Sequence, residues 1–331
     1  ESCQKDPLRR LLAEKWSRED AVSSAGSHRA MMERECAPPH GRCVVAFSLY
    51  GDDSRYTAGV LANARSLYGG GGGGGGTTGS DRHVFRHWSM RLYHDATVAT
   101  DLLEALRMLG VELVNASRWT DPTDRTEQSG SVGLMGTGRA WRFMVAADPT
   151  VTRFLVRDVD SRLGAREEAA VAAWVASGAA FHTMRDHPSH SLLARSGFRI
   201  QAGMWGAVGG AMLDMEARLR AAGTAHDFTA DARFLQANVW PVAMSSGLVQ
   251  HDAFSCEEFE NEGARPFPTA RVGSDHVGAV VLDGKVRDSD VAALMAALDG
   301  GQQPVACMEP GSGYELELAQ FETERAGGGG G

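Results

Sequence analysis

A short apolar run that ends in two carboxylates constrains this chain more than any other stretch. Residues 153–163 read Arg-Phe-Leu-Val-Arg-Asp-Val-Asp-Ser-Arg-Leu, a strand-forming core followed by Asp158 and Asp160. Side chains alternate along an extended segment, so the two aspartates face one point while Val159 faces the opposite layer. Like charges that close resist ionising, so the pair calls for a divalent cation or hydrogen-bond donors. A hard ion such as Mg or Mn takes oxygen ligands and leaves positions for phosphate oxygens, which makes it the natural filler. An isolated Asp-x-Asp triplet is more often a solvated turn with a helix cap. Here a strand precedes it and a helix follows, which is where open α/β sheets place ligands.

The flanking sequence supports that sheet. Cys43 to Leu49 is an apolar strand that runs into Tyr50-Gly-Asp-Asp-Ser-Arg55 and a helix over 56–68; residues 88–93 alternate as a second strand, 101–109 form an amphipathic helix, and 111–114 a third strand. This β-α-β-α-β order predicts a mostly parallel sheet with right-handed crossovers. Outside the uninterrupted glycine run at 69–76 neither GxGxxG nor GxxxxGK is present, so the dinucleotide and P-loop readings lose their main support. The helix over 164–178 places Glu167 and Glu168 in its first turn and presents Ala170, Val171, Trp174 and Val175 inward, pinning the acid-bearing strand.

Outside this core, residues 1–42 read as an N-terminal helix plus linker, 69–80 as a disordered glycine loop, 121–138 as a polar loop near the site mouth, and 286–331 as a helix with an acidic, glycine-rich tail. A helix through Phe234 and Trp240 ends at Pro241, and residues 277–282 form a last strand. The 331 residues are 43% hydrophobic, enough to bury a full core, and the net charge of -9 argues against a nucleic-acid surface. No apolar run reaches the length of a membrane span. Cys3, Cys36, Cys43, Cys256 and Cys307 lie far apart with no Cys-x-x-Cys pairing, so neither a disulfide framework nor a zinc knuckle is expected.

Other segments carry polar groups with two readings each. His182, His187 and His190 match no zinc motif, and a loop with Arg185, Asp186 or His187 in direct substrate contact competes with a purely structural histidine set. Gly203 and Trp205 lie in a glycine-rich stretch that suits close approach to a sugar ring or, nearly as well, tight helix–strand packing. A lone His251 is more often structural, but two carboxylates want a further ligand and a neutral imidazole can supply it.

Taken together, Phe47-Ser-Leu-Tyr-Gly51 with Arg55-Tyr56, Trp141-Arg-Phe143, Arg157-Asp-Val-Asp-Ser-Arg162 with Arg166-Glu167, and Phe181-His-x-Met-Arg-Asp-His-Pro188 with His190 resemble the glycosyltransferases of GT-A type. Gly203-Met-Trp-Gly206, Asp231 with Phe234-Leu235, Val239-Trp-Pro241, His251-Asp252, Cys256 and Phe267-Pro-Thr-x-Arg271 continue the match, which is nearest to the glycosyltransferase-like proteins of bacteria, algae and large algal viruses. The resemblance implies one GT-A (Rossmann-like) domain over 43–285, a UDP- or GDP-sugar donor, a bound Mn or Mg ion and transfer to a hydroxyl of a glycan or glycoprotein. On it, Asp158, Asp160 and His251 hold the ion, and the loop bearing Phe47, Ser48, Tyr50 and Arg55 receives the base. Arg157, Arg185, His187, Gly203 and Trp205 line the substrate, and Asp231 or Asp186 is the base if configuration inverts. Ala232 stands where the resemblance leads one to expect Gln, and Gln201-Ala where it expects a glycine pair, which leaves room for binding without transfer. A phosphoester hydrolase built on the same acids is the remaining alternative. Compartment stays open between a Golgi lumen, if an anchor has been removed, and the cytoplasm.

Overall fold

The computed structural model describes residues 18–68, 85–119, 134–222 and 229–308. The glycine loop at 69–80, most of the polar loop at 121–138, Cys3 and the glycine tail lie outside the described residues. Eight strands form one sheet: β1 (Cys43–Leu49), β2 (Trp88–His94), β3 (Glu112–Asn115), β4 (Arg153–Arg157), β5 (Phe181–Arg185), β6 (Met204–Val208), β7 (Leu248–Asp252) and β8 (Ala264–Arg265). Their order is β3-β2-β1-β4-β6-β5-β7-β8; β6 is antiparallel to both neighbours and every other pairing is parallel. The helices are α1 (Arg18–Cys36), α2 (Ser54–Tyr68), α3 (Thr100–Met108), α4 (Ala165–Ser177), α5 (Pro188–Arg195), α6 (Met215–Ala221), α7 (Ala230–Phe234), α8 (Trp240–Ser246) and α9 (Asp288–Asp299). The expected α/β architecture, a mostly parallel sheet flanked by helices, is present.

Strand β1 is buried along its whole length because both sheet faces are covered, as parallel strands require. Cys43, Val45, Phe47 and Leu49 face a layer containing Val60 and Ala64 of α2 and Val171, Trp174 and Val175 of α4. Val44 and Ala46 face the other layer, with Trp141, Phe143, Trp205 and Phe234. The alternation of the strand thus becomes two hydrophobic cores. Helix α4 ends at Gly178 in the left-handed conformation (φ 72°), and its Trp174 stacks on His182 of β5 at 5.3 Å.

Several local expectations are corrected. Residues 188–195 form α5 rather than a loop, with Pro188 in its first turn and the His187 side chain accepting a hydrogen bond from the Ser189 amide at its start. Pro241 does not end a helix: a π-helical turn over Leu235–Val239 passes into α8, and the proline sits at that helix's start. Of residues 277–282 only Val281–Leu282 is extended, pairing with Lys285–Val286 outside the main sheet. Helix α9 adds Leu294 and Ala297 to a cluster with Phe254, Phe267 and Val277.

The cysteines also differ from expectation, for Cys36 is bonded to Cys43 and Cys256 to Cys307. The first closes the turn between α1 and β1, and the second ties the turn after β7 to the segment after α9. Such pairs carry no spacing signature, because the fold rather than the sequence brings them together. In the chain-entropy account, replacing Cys36 and Cys43 by Ala costs roughly 2 kcal/mol, the loop being short. Urea unfolding of the double variant, with the wild-type slope retained, measures this.

Candidate functional site

The acids leave β4 at the carboxyl end of the sheet's centre, between β1 and β6. The turn that carries them is held from three sides. Asn63 of α2 donates from Nδ2 to the carbonyls of Val159 (3.3 Å) and Ser161 (3.0 Å), and Gly59 stands where a Cβ would lie 2.1 Å from the Val159 carbonyl oxygen. The Ser161 hydroxyl donates to the Asp158 carbonyl at 2.8 Å, and the Val281 amide to the Asp160 carbonyl at 2.8 Å. Val159 is buried, but β4 ends at Arg157 and the acids lie in a hydrogen-bonded turn over 158–161, so the turn rather than strand alternation sets their direction; Asp158 stays within electrostatic reach of Asp160.

Asp158 keeps 46% of its side-chain surface exposed and pairs with Arg142, whereas Asp160 keeps 15% and has Arg55 Nε at 3.8 Å. Burial pushes the Asp160 carboxyl above its ordinary value and the neighbouring Asp158 charge adds to that; Arg55 and Arg142 pull the other way. Asp231, near the start of α7, is raised by burial first, lowered by Arg142, raised by Asp158 and lowered by Arg139. Asp158 is therefore within electrostatic reach of both Asp160 and Asp231, with Arg142 near all three, Arg55 near Asp160 and Arg139 near Asp231.

Arg142 is the principal residue that the sequence reading did not assign. Its backbone amide donates to the Ser48 hydroxyl at 2.9 Å, its Nη1 reaches Asp158, and its Nε is buried with no partner among the described residues. Arg55 Nε is likewise buried and without a hydrogen bond, while its guanidinium lies 4.1 Å from the centre of the Tyr56 ring. Two guanidiniums with unspent donors beside a carboxylate pair suit a diphosphate. The signal for Arg142 was its place between Trp141 and Phe143, both buried: a cation inside an apolar run needs an anionic partner.

Two glycines shape the space. A Cβ on Gly203 would lie 1.8 Å from Asp158 Oδ2, and a Cβ on Gly138 would lie 1.9 Å from Cδ1 of Tyr50. Tyr50 is 44% exposed, with its ring set edge-on to Trp141 at 5.9 Å. Gly203 does not adopt a positive φ, so alanine fits the backbone and its methyl collides with the carboxylate. Gly203→Ala is therefore expected to displace the Asp158 carboxylate by more than an ångström, with stability little changed. A crystal structure of the variant beside a melting curve checks it.

The remaining expected site residues are elsewhere. His251 is buried on β7, three strands from β4 and so about 14 Å across the sheet. Its Nδ1 is 2.8 Å from Nε2 of His182, so it belongs to a core pair and does not join Asp158 and Asp160. Among the described residues no group of three or more His, Cys, Asp or Glu is arranged to hold a metal. Asp186 is fully buried, accepting from Arg166 at 2.8 and 2.9 Å, Arg271 at 2.6 Å and the Val277 amide at 2.9 Å, which leaves no oxygen to serve as a base. Arg185 is buried against Asp252 (2.7 Å) and Gln250 (2.7 Å). Arg157 is buried against Glu167 and donates to the Trp205 carbonyl at 3.0 Å. His187 caps α5 and its Nε2 lies 3.0 Å from the Asp290 carbonyl oxygen. Phe47 and Trp205 are core residues, Trp205 packing edge-on to Phe143 and Phe154. In each case the side chain is buried among internal partners that the motif could not reveal.

No family model and no curated protein matches the chain. Among solved structures it is similar to the crystal structure of mouse xyloside xylosyltransferase 1, apo form, with a TM-score of 0.35 and 13% identity, over 67% of this chain and 90% of that one.

Proposed function

We propose that the chain is a glycosyltransferase that moves a sugar from a UDP- or GDP-sugar to a hydroxyl of a glycan or glycoprotein, with a divalent cation, Mn or Mg, held by Asp158 and Asp160. The observation that carries this is the grouping of Asp158 with Asp160 and with Asp231, beside Arg142, which pairs with Asp158, and Arg55, whose Nε is 3.8 Å from Asp160. Asp160, raised by burial and by Asp158, is a group whose ionised form a cation would restore. Two carboxylates with the rest of the shell left to phosphate oxygens suit Mg or Mn, so the residues present fit the ion without His251. When bound, such an ion neutralises charge on a diphosphate leaving group.

The chain's own residues supply the rest. Arg142 and Arg55 offer donors to the diphosphate oxygens as the bond to the sugar breaks. Tyr50 offers an exposed aromatic face at the end of β1 for the base. Asp231, whose affinity for a proton is raised by burial, can take the proton of an acceptor hydroxyl. Incubation with a panel of UDP- and GDP-sugars and Mn tests the proposal. Release of nucleotide that depends on donor and cation supports it. Stabilisation by donor with no turnover turns it into a binding protein, and cleavage of simple phosphoesters without a sugar into a hydrolase.

A further inference from the structure

A second modification chemistry is written on the sheet's free edge, away from the acids. Asn115-Ala116-Ser117 is an Asn-x-Ser triplet with no central proline, the acceptor pattern for N-linked glycan. Of the chain's asparagines (Asn63, Asn115, Asn238 and Asn261), only Asn115 has Ser or Thr two places on. A triplet of this kind arises by chance often enough that its setting has to decide.

The setting is favourable in three independent ways. Asn115 is exposed at the last position of β3, which among the described residues is an edge strand neighboured by β2, where Asn115 pairs with His94. Asn63, by contrast, is fully buried beneath the acid-bearing turn. The Asn115 Oδ1 accepts from the Ser117 amide at 2.8 Å, which folds the triplet into an Asx turn, and its Nδ2 makes no hydrogen bond among the described residues. Buried Ala116, whose amide donates to the His94 carbonyl at 2.6 Å, anchors that turn. Finally, Cys36–Cys43 and Cys256–Cys307 are bonds of an oxidising compartment, which is where oligosaccharide transfer to asparagine takes place.

We infer that Asn115 carries an N-linked oligosaccharide. Its Nδ2 attacks C1 of an oligosaccharide borne on a polyprenyl pyrophosphate. The N–C1 bond forms, and the C1–O bond to the pyrophosphate breaks. The polyprenyl pyrophosphate leaves with the electron pair, and the Nδ2 proton passes to a base of the transferring enzyme. The glycan then stands at the end of β3, an edge of the sheet among the described residues. Asn115 is three strands from β4, about 14 Å from the acids, so this inference stands apart from the proposed sugar transfer.

The test is expression of the full chain behind a secretion leader in a eukaryotic cell, with cell extract and medium both digested by peptide:N-glycosidase. The expected result is a drop in apparent mass on digestion and conversion of Asn115 to aspartate in the peptide mass spectrum. Asn115→Gln and Ser117→Ala should each go from one glycan per chain to none, and Ser117→Thr should retain it. A wild-type chain with both disulfides formed but no shift on digestion overturns the inference, as does a shift that survives in Asn115→Gln.

Discussion

Taking the protein from pH 7 to pH 5 is expected to remove about 4 kcal/mol of folding stability, about 2 kcal/mol from each of His190 and His251. His251 is fully buried and His190 is partly so, and both are held down at about 3, His190 by desolvation and then by His187 and His276, His251 by burial and then by Arg265 and Arg166. Asp186 and Asp252 oppose the shift at His190, and Asp186 at His251, without reversing it. The sign follows from linkage. Unfolded histidine takes up its proton near 6.5, whereas the folded groups refuse it until about 3, so the contribution is complete above 6.5 and lost as pH falls toward 3. His182 and His187, also lowered chiefly by burial, act in the same direction. The raised carboxyls Asp160, Glu167 and Asp231 act oppositely, taking up protons more readily when folded. Against a total stability of roughly 5–15 kcal/mol, the histidine loss is large enough to move a urea midpoint visibly. Midpoints across pH 7.5 to 4.5 measure it, and a midpoint that stays level or rises on acidification contradicts it.

Asp186→Asn is expected to destabilise the fold by about 3–5 kcal/mol, the cost of breaking a buried ion pair from one side. The carboxylate is shared by Arg166 and Arg271 and receives the Val277 amide, with no exposed surface. An amide takes away the anion that both guanidiniums share. The damage extends beyond the pair, because Arg166 also donates to the Thr269 carbonyl and the same segment delivers the Val281 amide to the Asp160 carbonyl. Asp158→Asn, at a half-exposed carboxylate with one buried guanidinium partner, should cost less than Asp186→Asn, about 1–3 kcal/mol. Denaturant unfolding of the two variants separates a structural anchor from a site residue. If Asp186→Asn is as stable as wild type and loses only turnover, Asp186 is the base that the motif suggests and its role here is misassigned.

The sheet was legible where chemistry repeats along the chain. The apolar runs of β1 and β4 and the inward stripe of α4 identify themselves by period, whereas the turn over 158–161 that carries the acids does not follow from strand alternation. Strand β6 was not legible, because Gly206 interrupts it. That glycine is there for close approach, since a Cβ would lie 2.4 Å from the Phe154 carbonyl oxygen and 2.8 Å from Leu155 Cδ2. The same strand explains the error over His251. With β6 and β5 inserted between β4 and β7, a residue at the end of β7 lies too far from the acids to join them. Arg157, Arg185 and Asp186 carry charge, and charge in a motif suggests substrate; only packing reveals that their partners Glu167, Asp252, Arg166 and Arg271 are internal. Arg142 was missed for the converse reason, an apolar run concealing a cation whose partner is the site itself.

Calorimetric titration of UDP- and GDP-sugars into wild type and Asp160→Ala, with and without Mn, bears most directly on the assignment of Asp158 and Asp160 as the seat of a cation and a diphosphate. Wild type should bind a donor with an affinity that rises with Mn, and Asp160→Ala should lose at least about tenfold, some 1.4 kcal/mol, together with the dependence on Mn. A variant that keeps its fold and binds the donor with undiminished dependence on the ion would contradict that assignment.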